Sequence, residues 1–346
     1  MNRPSLQISR AQFRTNIAAV ERRIAPSTLM LVMKDDAYGH GLTWAVEDAA
    51  DAGVAWFGGY DIGTALRIRR ALAGPQRILA WATSTDDEVA EALLHDIDLG
   101  IGTHEYLRRV IAVAGSLGQR ARVHLKIDTG LRRNGVLPAE WNAFVAEARV
   151  AEDAGSLELV GVWSHLAEAS DAEDDEAQQV FLAGVEAVRR AGGAPELLHL
   201  TASAASWWRP ELRGSLSRIG AFCYGIRSAD GPELEGIRPV ATLTASVVRT
   251  DDDGDAVLPI GSFDGLPSTL AGIEVGTPAG PRILRRIDAT TSVVAGWPGV
   301  QSGDPVSVFG PGDQGEQSAT TLAERIGTVG EEILTRLTPR VRRTII

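Results

Sequence analysis

The chain has 346 residues, 44% hydrophobic and 23% charged, which suits a globular protein of two domains rather than one. A formal charge of -11 excludes a broad nucleic-acid surface, and no apolar run reaches the roughly 20 residues needed to cross a bilayer. The single cysteine, Cys223, excludes an internal disulfide and a multi-cysteine metal site, so no metal is expected. The amino-terminal residues carry no apolar signal core, and a cytoplasmic location is expected.

From Ser9 onward, Phe13, Ile17, Val20 and Ile24 recur at helical spacing, and Pro26 closes the segment. Short apolar runs then alternate with alanine-rich amphipathic stretches. The runs cover residues 29–33, 54–58, 77–81, 97–101, 122–127, 157–163 and 196–200, with a weaker one at 221–224. Helices are expected over 43–51, 60–72, 86–95, 103–117, 138–151, 174–191 and 203–208. Eight strand–helix units point to an α/β fold, an N-terminal (β/α)8 TIM-like barrel over residues 1–230. A doubly wound open sheet is the competing architecture. The barrel is preferred because chemistry-bearing residues fall at the C-terminal ends of several strands. After residue 230 the pattern turns to short β segments near 240–248, 256–260, 283–294 and 306–309, separated by Gly, Pro and Asp turns. Residues 231–346 therefore read as a C-terminal mostly-β domain with one late helix near 320–326.

Lys34 closes the first apolar run and opens a glycine-punctuated loop. An amine there, followed by the Tyr38 hydroxyl, suits imine chemistry on an aldehyde cofactor, and a surface lysine capping a strand is the bland alternative. The segment Lys34-Asp35-Asp36-Ala37-Tyr38-Gly39-His40-Gly41 resembles the cofactor-lysine motif of the alanine racemase family, usually Lys-Ala-Asn-Ala-Tyr-Gly-His-Gly. His124-Leu125-Lys126-Ile127-Asp128-Thr129-Gly130-Leu131-Arg132-Arg133-Asn134-Gly135 resembles a second family segment. Ser164-His165, His199, Ser203, Arg218-Ile219-Gly220 and Tyr224-Gly225 follow in the family's order, and Gly303-Asp304 extends the similarity into the second domain.

The resemblance implies pyridoxal 5'-phosphate as cofactor, an amino-acid substrate, nominally L- and D-alanine, and a homodimer with shared active sites. It implies that Lys34 carries the cofactor as an aldimine and acts as a base. Tyr38, Ser203, Gly220 and Ala221 would hold the phosphate. Arg218 would face the pyridine nitrogen, and His165 would bond Arg218 beside the ring. Arg133 would meet the cofactor oxygen and the substrate carboxylate, oriented by Lys126, a lysine often carbamylated in the family. His124 reads as a structural strand residue, and His199 as an indirect partner of the site no less than a direct one. Trp207-Trp208 reads as a packing pair.

The pattern breaks in the second domain. The family's Gly-Tyr-x-Asp-Gly, which supplies the second acid/base from the partner subunit, reads Gly261-Ser262-Phe263-Asp264-Gly265. A serine hydroxyl is a weaker acid than a phenol and far shorter. A family tyrosine that reaches the phosphate is replaced within Gly330-Glu331-Glu332 by Glu331, and the Met-Asp pair at the substrate carboxylate reads Ile287-Asp288. The expected function is a racemase-like enzyme with impaired or altered second-base chemistry. The alternatives are a one-face reaction on an amino acid and a non-catalytic racemase-like protein.

Overall fold

The computed structural model describes residues 3–346. The chain divides into two compact units, one made of Val20–Lys34 and Leu42–Gly220, the other of Met1–Ala19, Asp35–Gly41 and Ala221–Ile346. Strand β1 (Ser5–Ile8) and helix α1 (Arg10–Ile24) open the chain. The first unit then alternates β2 (Thr28–Val32), α2 (Leu42–Asp51), β3 (Trp56–Gly59), α3 (Ile62–Ala71), β4 (Arg77–Ala80), α4 (Asp86–Leu94) and β5 (Ile97–Ile101). It continues with α5 (His104–Leu117), β6 (Ala121–Lys126), α6 (Pro138–Asp153), β7 (Leu157–Trp163), α7 (Asp171–Arg190), β8 (Leu197–His199), α8 (Ser203–Trp208) and β9 (Leu216–Ile219).

Strands β2 to β9 form an eight-stranded parallel sheet in the order β8-β7-β6-β5-β4-β3-β2-β9. β9 pairs with β2, so the sheet curls into a nearly closed barrel. Across the remaining seam the Arg218 N–H donates to the Thr201 carbonyl at 3.3 Å, and the Leu198 N–H to Ser215 Oγ at 2.9 Å. Four of the outer helices begin where side chains satisfy free N–H groups. Asp61 caps α3, Thr103 caps α5, Ser170 caps α7, and Thr85 with Glu88 forms a reciprocal capping box on α4.

The barrel interior is filled by large side chains facing small ones. Met30, Trp56, Leu79 and Leu216 form a buried layer, with Trp81 and Leu197 packed on it. Glycines make room higher up. A Cβ on Gly58 would lie 3.0 Å from the Trp81 ring, and one on Gly100 would lie 2.8 Å from Trp81 Cβ and 3.0 Å from the Trp163 ring. On β7 a Cβ at Gly161 would lie 2.6 Å from His124 Nδ1. These three positions therefore fix how indoles and an imidazole fill the barrel.

The eighth barrel strand is not the run at residues 221–224. Leu216–Ile219 is the strand, and Ala221–Tyr224 is a short 3-10 turn. Ser217 and Arg218 interrupt the apolar pattern of β9, yet both are buried, Arg218 because carbonyls surround its guanidinium. β1 also escapes the sequence pattern, because its partners are remote. It pairs antiparallel with β10 (Ala241–Ser246) and parallel with the last strand, Arg342–Ile345.

The second unit holds two sheets. β1 and β10 lie between Pro305–Phe309 and Arg342–Ile345, and a five-stranded antiparallel sheet contains Ala256–Leu258, Arg282–Ile287 and Ser292–Val294. The expected late helix occupies Ala319–Arg325, and a further short helix covers Gly330–Thr335.

Candidate active site

Lys34 follows the end of β2, the place a barrel presents its reactive groups. The next residues take an unusual path. Asp35, Asp36, Ala37 and Tyr38 all have φ between 53° and 56°, a left-handed turn built without glycine. Such residues cost roughly 1–2 kcal/mol each, so the surrounding structure must hold the turn in place. Gly39 ends it at φ 79°, its carbonyl accepting from Arg343 Nε at 2.7 Å; a Cβ there would lie 2.9 Å from the Leu334 carbonyl oxygen. Tyr38 is buried, its ring 5.1 Å from that of Tyr224, and His40 stacks on Tyr224 at 4.9 Å. Burial, then the carboxylates of Glu331 and Asp35, push the Tyr38 phenol far above its ordinary value, while the Ala221 backbone N–H opposes the rise. Ala221 and Glu331 thus both act on the Tyr38 hydroxyl.

At the mouth of the barrel, Arg218 is 4% exposed and donates in several directions. Its Nη1 reaches His199 Nδ1 at 3.0 Å and the His199 carbonyl at 2.6 Å. Its Nη2 reaches the carbonyls of Ser164 at 2.7 Å and Leu200 at 3.1 Å, and His165 Nδ1 at 3.3 Å. Burial lowers the guanidinium to about 9; Glu168 opposes that shift and Arg133 adds to it. Glu168 is itself held by the Ala205 N–H at 3.0 Å.

The neighbouring groups repeat this pattern of crowded positive charge. His165 is pushed down to about 3 by burial and by Arg218, Arg133, Lys126 and Lys34. Lys126, at the end of β6 and 4% exposed, falls to about 8 through burial, Arg218 and Arg133, with only Asp128 opposing. Its Nζ lies 4.4 Å from the Trp163 ring centre, and the Arg218 guanidinium 5.0 Å from the same ring. Asp128 also shapes the loop that carries Arg133, its Oδ1 accepting the N–H groups of Gly130 and Arg132 at 2.9 and 3.2 Å. Ser203 opens α8, and its Oγ accepts the Gly220 N–H at 3.4 Å.

In the second unit, Ser262 is exposed on a 3-10 turn whose scaffold is well built. The Gly261 N–H donates to Asp264 Oδ2 at 2.8 Å, and Arg340 Nε to Asp264 Oδ1 at 2.8 Å. The Ser262 and Phe263 N–H groups donate to the carbonyls of Asp288 and Ala289, both at 2.9 Å. Ile287, at the end of its strand, is buried. Four residues beyond the expected set also matter here. Trp163 is the platform under both cations and stacks on His199 at 8° between planes; Glu168 balances Arg218; Asp98 and His124 join His199 in a buried chain. Nothing in the sequence pattern singles out Asp98, which lies inside the apolar run 97–101.

Models of the "alanine racemase, N-terminal domain" and "alanine racemase, C-terminal domain" match residues 8–228 and 244–345. The chain belongs to the alanine racemase family. It is 36% identical to the alanine racemase of Thermobifida fusca and 34% identical to that of Beutenbergia cavernae, each match covering 95% of this chain and 94% of the relative. The crystal structure of alanine racemase from Streptomyces lavendulae superimposes with a TM-score of 0.92 at 31% identity, covering 100% of this chain and 97% of the other. Family membership agrees with the barrel and the antiparallel second unit. Among the described residues no helix is long and apolar enough to cross a membrane.

Proposed function

We propose that this chain is a pyridoxal-phosphate-dependent amino-acid racemase-like enzyme that works from Lys34, with alanine as its nominal substrate. The observation that carries the reading is the concentration of positive charge around His165, where Lys34, Lys126, Arg133 and Arg218 all depress the imidazole. Such a site favours an anionic ligand, and the cofactor and an amino acid each bring one. The donor chemistry fits pyridoxal 5'-phosphate: a primary amine for the aldehyde, hydroxyls at Ser203 and Tyr38, backbone N–H groups at Gly220 and Ala221, and a guanidinium at Arg218 for the ring nitrogen. When bound, the cofactor supplies the electron sink that acidifies the substrate Cα–H.

The protein's part is to position and protonate. Lys34 Nζ takes and returns the α-proton on one face, which requires its neutral form. Arg218 has no lone pair to offer and stays a donor toward the ring, while His165 stays neutral. Arg133 binds the substrate carboxylate, with Lys126, as a carbamate, neutralising and orienting it. The backbone at Ile287 provides a further carboxylate contact. A homodimer that shares its sites, located in the cytoplasm, completes the reading.

The opposite face carries the departure. Ser262 stands on an intact turn without a phenol, so proton return on that face is weak and turnover is biased to the Lys34 side. This favours a one-face outcome over rapid racemisation. Borohydride reduction of the protein incubated with pyridoxal 5'-phosphate tests the core claim. Peptide mapping should find the cofactor fixed on Lys34, with no label in Lys34→Ala. Labelling at Lys126 instead, or equal labelling of both proteins, would contradict it.

A further inference from the structure

A buried chain of polar groups crosses the barrel from its wall to Arg218. Asp98, on β5 and fully buried, meets His124 Nε2 at 3.2 Å with Oδ2. His124 Nδ1 lies 2.9 Å from His199 Nε2, and His199 Nδ1 lies 3.0 Å from Arg218 Nη1. Beyond Asp98 the chain ends at two partly exposed arginines: Arg122 Nε is 2.7 Å from Asp98 Oδ1, and Arg77 Nη2 reaches Asp98 Oδ2.

The ends determine the proton at every link. An arginine can only donate, and an ionised carboxylate can only accept. Arg218 therefore requires a lone pair on His199 Nδ1, which puts the His199 proton on Nε2. That proton points at His124 Nδ1, so His124 is protonated on Nε2 and donates to Asp98. A proton on Nδ1 of either imidazole would set two donors against each other, which also excludes an imidazolium at either position. Burial and the nearby Arg218 and His124 hold His199 well below its ordinary value. Burial would raise Asp98, but the hydrogen bond from His124 and the charges of Arg77 and Arg122 keep it low.

We propose that Asp98 is a positioning residue, the anionic terminus of a one-directional relay through His124 and His199 that fixes Arg218 as a donor in the mouth of the barrel. The relay stands on geometry within the barrel, and its consequence for turnover rests on the function proposed above. The fold is built around it. Gly161 leaves the space that His124 Nδ1 occupies, Trp163 stacks on His199, and Trp56 meets His124 edge-on at 5.8 Å. Neither imidazole has solvent access, so neither tautomer is set by water. Removing the negative charge at Asp98 weakens the polarisation of both N–H groups in sequence.

Ring-nitrogen NMR of the 15N-histidine-labelled holoenzyme reads the relay directly, with His124→Gln and His199→Gln variants assigning the signals. Both residues should be neutral and protonated on Nε2 alone, with slowly exchanging ring protons. In Asp98→Asn both Nε2–H resonances should move upfield and exchange faster, that of His199 included although it does not touch residue 98. A proton on Nδ1 of either ring in the wild type, or an unchanged His199 signal in folded Asp98→Asn, would overturn the proposal. If Asp98→Asn does not fold, the wild-type tautomers alone decide. Loss of cofactor labelling at Lys34 with the tautomers as stated would count against the function and leave the relay standing.

Discussion

Lys126 provides the sharpest quantitative expectation. Its ammonium is buried beside Arg218 and Arg133, and its value falls from 10.5 to about 8. Near pH 8 about half of these amines are neutral, against roughly one in 300 for an unperturbed lysine. Only a neutral amine captures carbon dioxide, so the carbamate proposed at Lys126 would form more readily than on an ordinary lysine. The same shift affects stability in the absence of carbon dioxide. The unfolded chain binds the proton more tightly, so stability rises as pH goes from about 8 to 10.5 and the penalty is complete below about 8. Its full size is about 3 kcal/mol, at about 1.36 kcal/mol for each tenfold change in proton affinity. Lys126→Met removes the charge while keeping most of the apolar stem. In carbonate-free buffer near pH 7 it should therefore be more stable than wild type by up to about 3 kcal/mol in urea unfolding, and the gap should close toward pH 10.5. With 13C-bicarbonate, wild type should show one carbamate carbon signal that Lys126→Met lacks. A Lys126→Met protein less stable than wild type at pH 7, or a pH-independent gap, would refute the charge-crowding argument.

Other consequences follow from the same contacts. Glu331→Gln removes a carboxylate that acts on the Tyr38 hydroxyl, and should tighten pyridoxal 5'-phosphate binding to the apoprotein by about five- to tenfold in a fluorescence titration, the effect of roughly 1 kcal/mol; weaker binding would contradict the placement of the phosphate. His165, pushed down to about 3, binds fewer protons folded than unfolded between pH 3 and 6.5, so it costs stability as pH falls through that window. Acid unfolding of His165→Gln should accordingly be shallower than that of wild type, and a steeper profile would argue for a charged imidazole. Gly161→Ala places a Cβ 2.6 Å from His124 Nδ1 and should destabilise the barrel by about 1–3 kcal/mol in urea unfolding, whereas a neutral effect would show that His124 can move aside.

Much of the architecture was readable because buried parallel strands are nearly continuous apolar runs and the helices between them are amphipathic. The expected starts at 86 and 103 fall at the Thr85 and Thr103 caps, whereas the helix expected from 174 begins at Asp171 behind the Ser170 cap. The two missed strands share one physical source, partners distant along the chain. Ser5–Ile8 is too short to read alone and becomes a strand through residues 241–244 and 342–345. β9 was obscured by Arg218, which is buried because the carbonyls of Ser164, His199 and Leu200 meet its guanidinium. The left-handed turn at residues 35–38 has no glycine to announce it. At the site, the motifs named the charged residues, but neither Trp163 as the surface beneath two of them nor Asp98 as the far end of the histidine chain follows from spacing.

In the proposed reaction Lys34 handles the α-proton on one face while Ser262 leaves the other face without an adequate acid. The most direct measurement incubates the holoenzyme with D-alanine in deuterated water and follows α-deuterium incorporation and L-alanine formation together. Deuterium should enter D-alanine well before L-alanine accumulates, and Ser262→Tyr should bring the two rates together. Formation of L-alanine by the wild type as fast as exchange, with no gain from Ser262→Tyr, would contradict the account.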